Sequence, residues 1–108
     1  MSDPTINQPV YETVRWTANK GVDKQQMIEA MKILSKDVKN LPGFIEQTLY
    51  QRENNEWLAI YYWKTEQQAH NSNHLVAEKD SFIKLVSLIQ ADSIEIEVLS
   101  PLQQAHAK

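Results

Sequence analysis

Apolar residues recur along this chain in two periods, and the switches between them mark out its elements. From Val10 to Thr17 the pattern alternates: Val10, Val14 and Trp16 share one face, Tyr11, Thr13 and Arg15 the other, and Glu12 breaks the apolar face near its start. This predicts a strand with one apolar side. After a turn at residues 19–22, Asp23 stands three places before Gln26, the spacing of a capping box. Met27, Ile28, Met31, Leu34, Val38 and Leu41 then follow at three- and four-residue steps, which predicts a helix over residues 24–39 with Lys32, Lys36 and Lys39 facing away. Methionine in such a stripe reads as adaptable packing. Leu41, Pro42, Gly43 and Phe44 end the helix and start a strand, because proline cannot continue the hydrogen-bond ladder and glycine accepts the reversed backbone.

Strands over residues 44–52 and 57–63 flank a polar turn of Glu53, Asn54, Asn55 and Glu56, which predicts an antiparallel hairpin. In its second strand Trp57, Ala59, Tyr61 and Trp63 fall on one face and Leu58, Ile60 and Tyr62 on the other, so both faces need a cover. Thr65 and Gln68 repeat the capping-box spacing and predict a helix over residues 66–77. Its inner face, Ala69, Val76 and Ala77 with Ser72 and Asn73 between them, is unusually polar. A break near Lys79, with Asp80 as cap, opens a short helix bearing Phe82, Leu85, Val86 and Ile89. Ile94, Ile96 and Val98 alternate with Glu95 and Glu97 in a closing strand over residues 93–99. Residues 1–9 read as a frayed lead-in and residues 102–108 as a mobile tail.

The order is β-α-β-β-α-β, an α+β chain of ferredoxin-like topology around a four-stranded antiparallel sheet. A length of 108 residues suits a single ferredoxin-like domain over residues 1–108 with an ordered core at about 10–99. Two helices cover one sheet face, and a second copy, making a homodimer, is the economical cover for the other. Composition narrows the partners. A net charge of −3 gives no basic footprint for nucleic acid. No apolar run approaches the roughly 20 residues of a membrane helix, and no apolar signal core opens the chain, so no membrane partner and a cytoplasmic location are expected. The absence of cysteine excludes disulfides, thiol nucleophiles and thiolate metal sites.

The start of the second strand at Pro42, Gly43 and Phe44, Trp57 and Trp63 bounding the third, the helix entry from Thr65 to Ala69, and the closing Leu88, Ile89, Ser93 and Ile94 carry a family resemblance. Over about residues 10–99 the chain resembles the dimeric α+β barrel superfamily, in particular the antibiotic biosynthesis monooxygenase-like proteins. The resemblance implies a dimeric α+β barrel in which two sheets face each other, with a small-molecule pocket between each sheet and its helices. Members include cofactor-independent oxygenases, haem-degrading enzymes, small isomerases and proteins without known activity, so the fold does not fix the function.

His70, His74 and Glu78 are spaced four apart, but that flank of the helix turns toward solvent and no metal site is expected there. Oxygenases and isomerases of the family carry a histidine a few residues after the place of Ala69, where this chain has Ser72 or Asn73 with His70 and His74 on either side. His70 or His74 is the candidate proton-transfer group, since histidine titrates near neutral pH. Haem relatives need an iron-binding histidine that residues 82–89 lack, so no cofactor is expected. Trp16, Tyr61 and Trp63 offer apolar area with a polar handle, and the small side chains of Ala69 and Ser72 leave volume beside Asn73. A ligand cavity is expected there, lined by Trp16, Ala69, Ser72 and Asn73 and extending to His70. Tyr50 and Tyr62 suit an interface equally well, and Arg15 and Arg52 read as surface ion-pair partners. The expected function is binding of a small, aromatic molecule, as a cofactor-independent monooxygenase or isomerase, or alternatively as a non-enzymatic ligand-binding or stress-associated dimer.

Overall fold

The computed structural model describes residues 8–107, so the expected lead-in lies, apart from Gln8 and Pro9, outside the described residues. Strand β1 (Val10–Thr17) leads to helix α1 (Lys24–Val38), the hairpin β2 (Phe44–Gln51) and β3 (Glu56–Trp63), helices α2 (Glu66–Val76) and α3 (Asp80–Val86), a 3-10 turn (Ala91–Ser93) and strand β4 (Glu95–Leu99). The strands form one antiparallel sheet in the order β2-β3-β1-β4. This is the ferredoxin-like arrangement, with β3 and β1 in the middle.

The expected dimeric α+β barrel is corrected by this order. β2 and β4 are the two edges of an open sheet and do not pair with each other, so the sheet is not closed into a barrel. Four strands of five to eight residues are too few to curl shut around a packed interior, which takes about eight.

Local chemistry explains most of the boundaries. Asp23 accepts from Gln26 N at 2.7 Å while the Gln26 side chain accepts from Asp23 N at 2.9 Å, a complete capping box. At α2 only half of the motif forms. Thr65 Oγ1 accepts from Gln68 N at 3.1 Å, but the Gln68 side chain lies over Gly43, whose φ of +84° and missing Cβ make room for it. Asp80 is not the cap of α3; Lys79 takes that place without a side-chain bond, and Asp80 sits in the first turn, where its charge suits the helix dipole. Ser93 belongs to the 3-10 turn rather than to β4, because its Oγ accepts from Thr17 N at 2.9 Å and ties the turn to the end of β1. Asn54 and Asn55, both at positive φ, make the tight β2–β3 turn.

All helices lie on one face of the sheet. Met27, Ala30, Met31, Leu34 and Val38 of α1 join Val10 and Trp16 of β1, and Trp57, Ala59, Tyr61 and Trp63 of β3, in a single buried cluster. Ser81 Oγ, bonded to Asp37 Oδ2, links α3 to α1. On the other face Tyr11 stacks on Tyr62 with ring centroids 4.5 Å apart, and Leu58 and Ile60 are only half-buried. No described helix is long and apolar enough to cross a membrane.

Candidate functional site

Glu12 pairs with Tyr61 and Val10 with Trp63 across the β1–β3 ladder. Alternate side chains share a face, so the helix side of β1 carries Val10, Glu12, Val14 and Trp16 inward together. Glu12 is thereby 2% exposed. A carboxylate in such a place is costly unless donors meet it. Trp63 Nε1 donates to Oε1 at 3.1 Å and Asn73 Nδ2 donates to Oε2 at 3.1 Å, so one donor comes from the end of β3 and one from the inner side of α2. Burial still prevails and lifts the Glu12 pKa above its ordinary value, with the Asn73 and Trp63 hydrogen bonds and the charge of His70 pulling it partly back. The Tyr61 phenol is pushed far up by burial and, secondarily, by the Glu12 carboxylate, so it keeps its proton at any physiological pH.

This cluster opens into a cavity of about 180 Å³ between the sheet and all three helices. Glu12, Val14 and Trp16 of β1 and Tyr61 and Trp63 of β3 form its floor, Ser72 and Asn73 its polar flank, and Leu34, Val76, Phe82, Leu85 and Ile89 much of its apolar wall. Ala77 and Ile96 also line it and are exposed, which puts the mouth along the β4 edge. An apolar cavity of about 150 Å³ holds a benzene ring, so this one has room for about one ring with small substituents. Trp16 is 3% exposed and its Nε1 has no hydrogen-bond partner. An unmet buried donor costs about 1–3 kcal/mol.

Of the residues singled out in the sequence, Trp16, Tyr61, Trp63, Ser72 and Asn73 come together around this cavity. Ala69 is fully buried but is not part of the lining. Ser72 Oγ is already satisfied by donating to Ala69 O at 2.6 Å. His70 and His74 are exposed and line no part of the cavity; His70 Nε2 lies 3.5 Å from Glu66 Oε1 on the outer flank. Arg15 pairs with Glu95 at 3.0 Å and Arg52 with Glu56 at 3.9 Å, both exposed pairs of small energetic weight. Among the described residues no three His, Cys, Asp or Glu side chains gather as a metal site.

The residue that sequence reasoning misses is Glu12. Its signal is that of a single acid on the apolar side of a central strand, which reads locally as an interruption of the pattern. Chemically, a desolvated carboxyl of raised proton affinity, facing an apolar cavity and held by two donors, is able to accept a proton and return it.

No family model matches the sequence, and no curated protein matches it. Solved structures do. SnoaB, a cofactor-independent oxygenase from Streptomyces nogalater, is 16% identical over 90% of this chain and 96% of its own, with a TM-score of 0.71, or 0.74 for a variant form. An antibiotic biosynthesis monooxygenase-like protein from Caulobacter crescentus is 12% identical over 92% of this chain and 94% of its own, TM-score 0.72. Rv0793 from Mycobacterium tuberculosis is 13% identical over 92% of this chain and 100% of its own, TM-score 0.70. The chain has the fold of the antibiotic biosynthesis monooxygenase-like proteins.

Proposed function

We propose that the protein binds a small aromatic molecule in the cavity under α2 and α3 and acts on it as a cofactor-independent oxygenase or isomerase, with Glu12 as the proton acceptor. The observation that carries this reading is the buried Glu12 carboxyl, held by Trp63 and Asn73 at the floor of an otherwise apolar recess. The shared fold with SnoaB, itself a cofactor-independent oxygenase, supports the same class. Glu12 would take a proton from an activated C–H and leave the electron pair delocalised over the ring. Return of that proton at another carbon completes an isomerisation. Reaction of the anion with dioxygen instead turns a methylene into a carbonyl, with one oxygen atom kept in the product and the other leaving as water with both hydrogens. His70 and His74, on the outer flank, take no direct part in this scheme.

A second reading, a ligand-binding protein without chemistry, is favoured by one observation: both Glu12 oxygens already have donors. One experiment separates the two. The protein is incubated with a panel of aryl ketones carrying acidic C–H groups, and oxygen uptake, product mass and ligand binding are followed in the wild type, Glu12→Gln and the His70→Ala/His74→Ala double variant. Turnover lost in Glu12→Gln and kept in the double variant supports the enzyme. Binding without turnover leaves the binding protein. Turnover that depends on the histidines and not on Glu12 contradicts the role given to Glu12.

The working unit in this reading is a homodimer of single ferredoxin-like domains with ordered cores at about residues 10–99. Its support is the helix-free sheet face, where Leu58 and Ile60 are half-buried and Tyr11, Tyr50 and Leu99 are exposed.

A further inference from the structure

Glu12 and Tyr61 are direct partners in the β1–β3 ladder, both on the helix side of the sheet and both lining the cavity. Antiparallel partners stand about 5 Å apart at their Cα atoms, so these two side chains present neighbouring groups to whatever the cavity holds. The groups are complementary. Each Glu12 oxygen takes one donor, from Trp63 and from Asn73, and keeps a second lone pair. Among the described residues, the buried side-chain polar atoms that are unpartnered and sealed even from the cavity are Trp16 Nε1 and Gln68 Oε1. The Tyr61 hydroxyl donates to no described residue and is not one of those sealed atoms, so part of its surface is accessible. Tyr61 is 8% exposed overall, beneath the helices, and that accessible surface faces the cavity it lines. Its phenol stays protonated, since burial and, secondarily, the Glu12 carboxylate push its pKa far up. A hydroxyl with no acceptor, on the wall of an apolar volume, is the complement of a ligand oxygen.

We propose that Tyr61 is the second catalytic group of this cavity, and that the ligand is a neutral one-ring aryl ketone whose carbonyl oxygen accepts from the Tyr61 hydroxyl while the C–H beside that carbonyl faces Glu12. Glu12 takes the proton, the C–H electron pair becomes a new C=C bond, and the carbonyl π pair becomes a lone pair on oxygen. The Tyr61 O–H is in place beforehand to hold the charge formed there. Return of the proton from Glu12 to carbon restores the carbonyl, so no further reactant is needed. A carboxylate ligand is disfavoured, because its charge would lie beside Glu12 in a dry site. This inference rests on the cavity being the ligand site and adds to that reading the group that recognises the carbonyl.

Acetophenone and ethylbenzene test it, the same ring with a substituent of similar shape, with and without the acceptor. Affinities are measured for the wild type and Tyr61→Phe, which keeps the ring and removes the donor. Tyr61→Phe is expected to weaken acetophenone by about tenfold and to leave ethylbenzene unchanged. In deuterium oxide the wild type should exchange the methyl hydrogens of acetophenone, and Tyr61→Phe should slow that exchange by about a hundredfold. Equal weakening of both ligands, or of neither, would mean that Tyr61 contributes shape alone. Exchange that is equal in the two proteins, or absent from the wild type, removes the catalytic role. Either result overturns the inference, while binding of ethylbenzene keeps the site reading. If neither ligand binds the wild type, the site reading falls and takes the inference with it. A second measurement needs no variant to fold: the Cζ resonance of Tyr61 in the wild type should move further on saturation with acetophenone than with ethylbenzene, and equal changes overturn the proposal.

Discussion

Glu12 is a single residue that carries a cost to the fold and, in the proposed function, the chemistry of the site. Folding raises its proton affinity, so above about pH 4.5 the native state binds more protons than the unfolded chain. Its favourable contribution is fully present below that pH and is lost as pH rises through the native pKa, beyond which stability levels off. Glu12→Gln removes this slope. It also adds a constant loss, because the amide can accept from only one of Trp63 and Asn73 and turns its own donors on the other. The gap between wild type and variant should therefore narrow as pH rises from about 4.5, as read from urea midpoints across the pH range; a gap that widens would show a carboxyl stabilised by its surroundings. This part of the site is half legible in the sequence. The parity of β1 and β3 puts Trp16, Tyr61 and Trp63 on one side, and helical spacing puts Ser72 and Asn73 facing them. What turns Glu12 from an interruption into a site residue is its pairing with residues 51 and 61 positions away, which no local pattern encodes.

Elements are more readable than residues, because caps and turns are local chemistry. The Asp23 box, the Asn54–Asn55 turn and the break before α3 all follow from residues within four places of one another. Local patterns mislead where a side chain has a distant use. Gln68 has the right spacing to close a second capping box, yet it crosses to Gly43, and Ser93 leaves β4 to hold the end of β1. The Gly43 contact makes a sharp prediction. Gly43→Ala forces a Cβ into a residue at φ +84° and into the Gln68 side chain, with Gln68 Cβ only 2.8 Å away. The backbone strain alone is worth about 1–2 kcal/mol. Gly43→Ala should destabilise by at least that much, and adding Gln68→Ala should recover only part of the loss, since the Cβ contact and the backbone strain both remain. Full recovery in the double variant, measured by denaturant unfolding, would show that the Gln68 amide alone sets the requirement for glycine.

At the scale of the whole molecule the two sheet faces have different fates. The helix side closes over the cavity, while the other side presents the stacked Tyr11 and Tyr62 with Leu58 and Ile60 and no covering element among the described residues. The two-sided apolar pattern of β3 makes this open face legible in the sequence, whereas closure into a barrel depends on geometry that the pattern does not carry and that the open order β2-β3-β1-β4 corrects. If a second copy covers the open face, Tyr62→Glu should convert the assembly to a 12.5 kDa monomer in sedimentation at micromolar concentration; a wild type already monomeric there removes the homodimer. In the proposed function the cavity under α2 is where the protein meets its ligand, and filling that cavity is the most direct test. Ser72 is 5% exposed on the cavity wall, so Ser72→Leu places a larger apolar side chain in the space a ring would occupy. Titration of toluene, followed by tryptophan fluorescence, should show affinity at least about tenfold weaker in Ser72→Leu than in the wild type while the folded spectrum is kept; equal affinity in the two proteins would place the ligand elsewhere and rule out this cavity as its site.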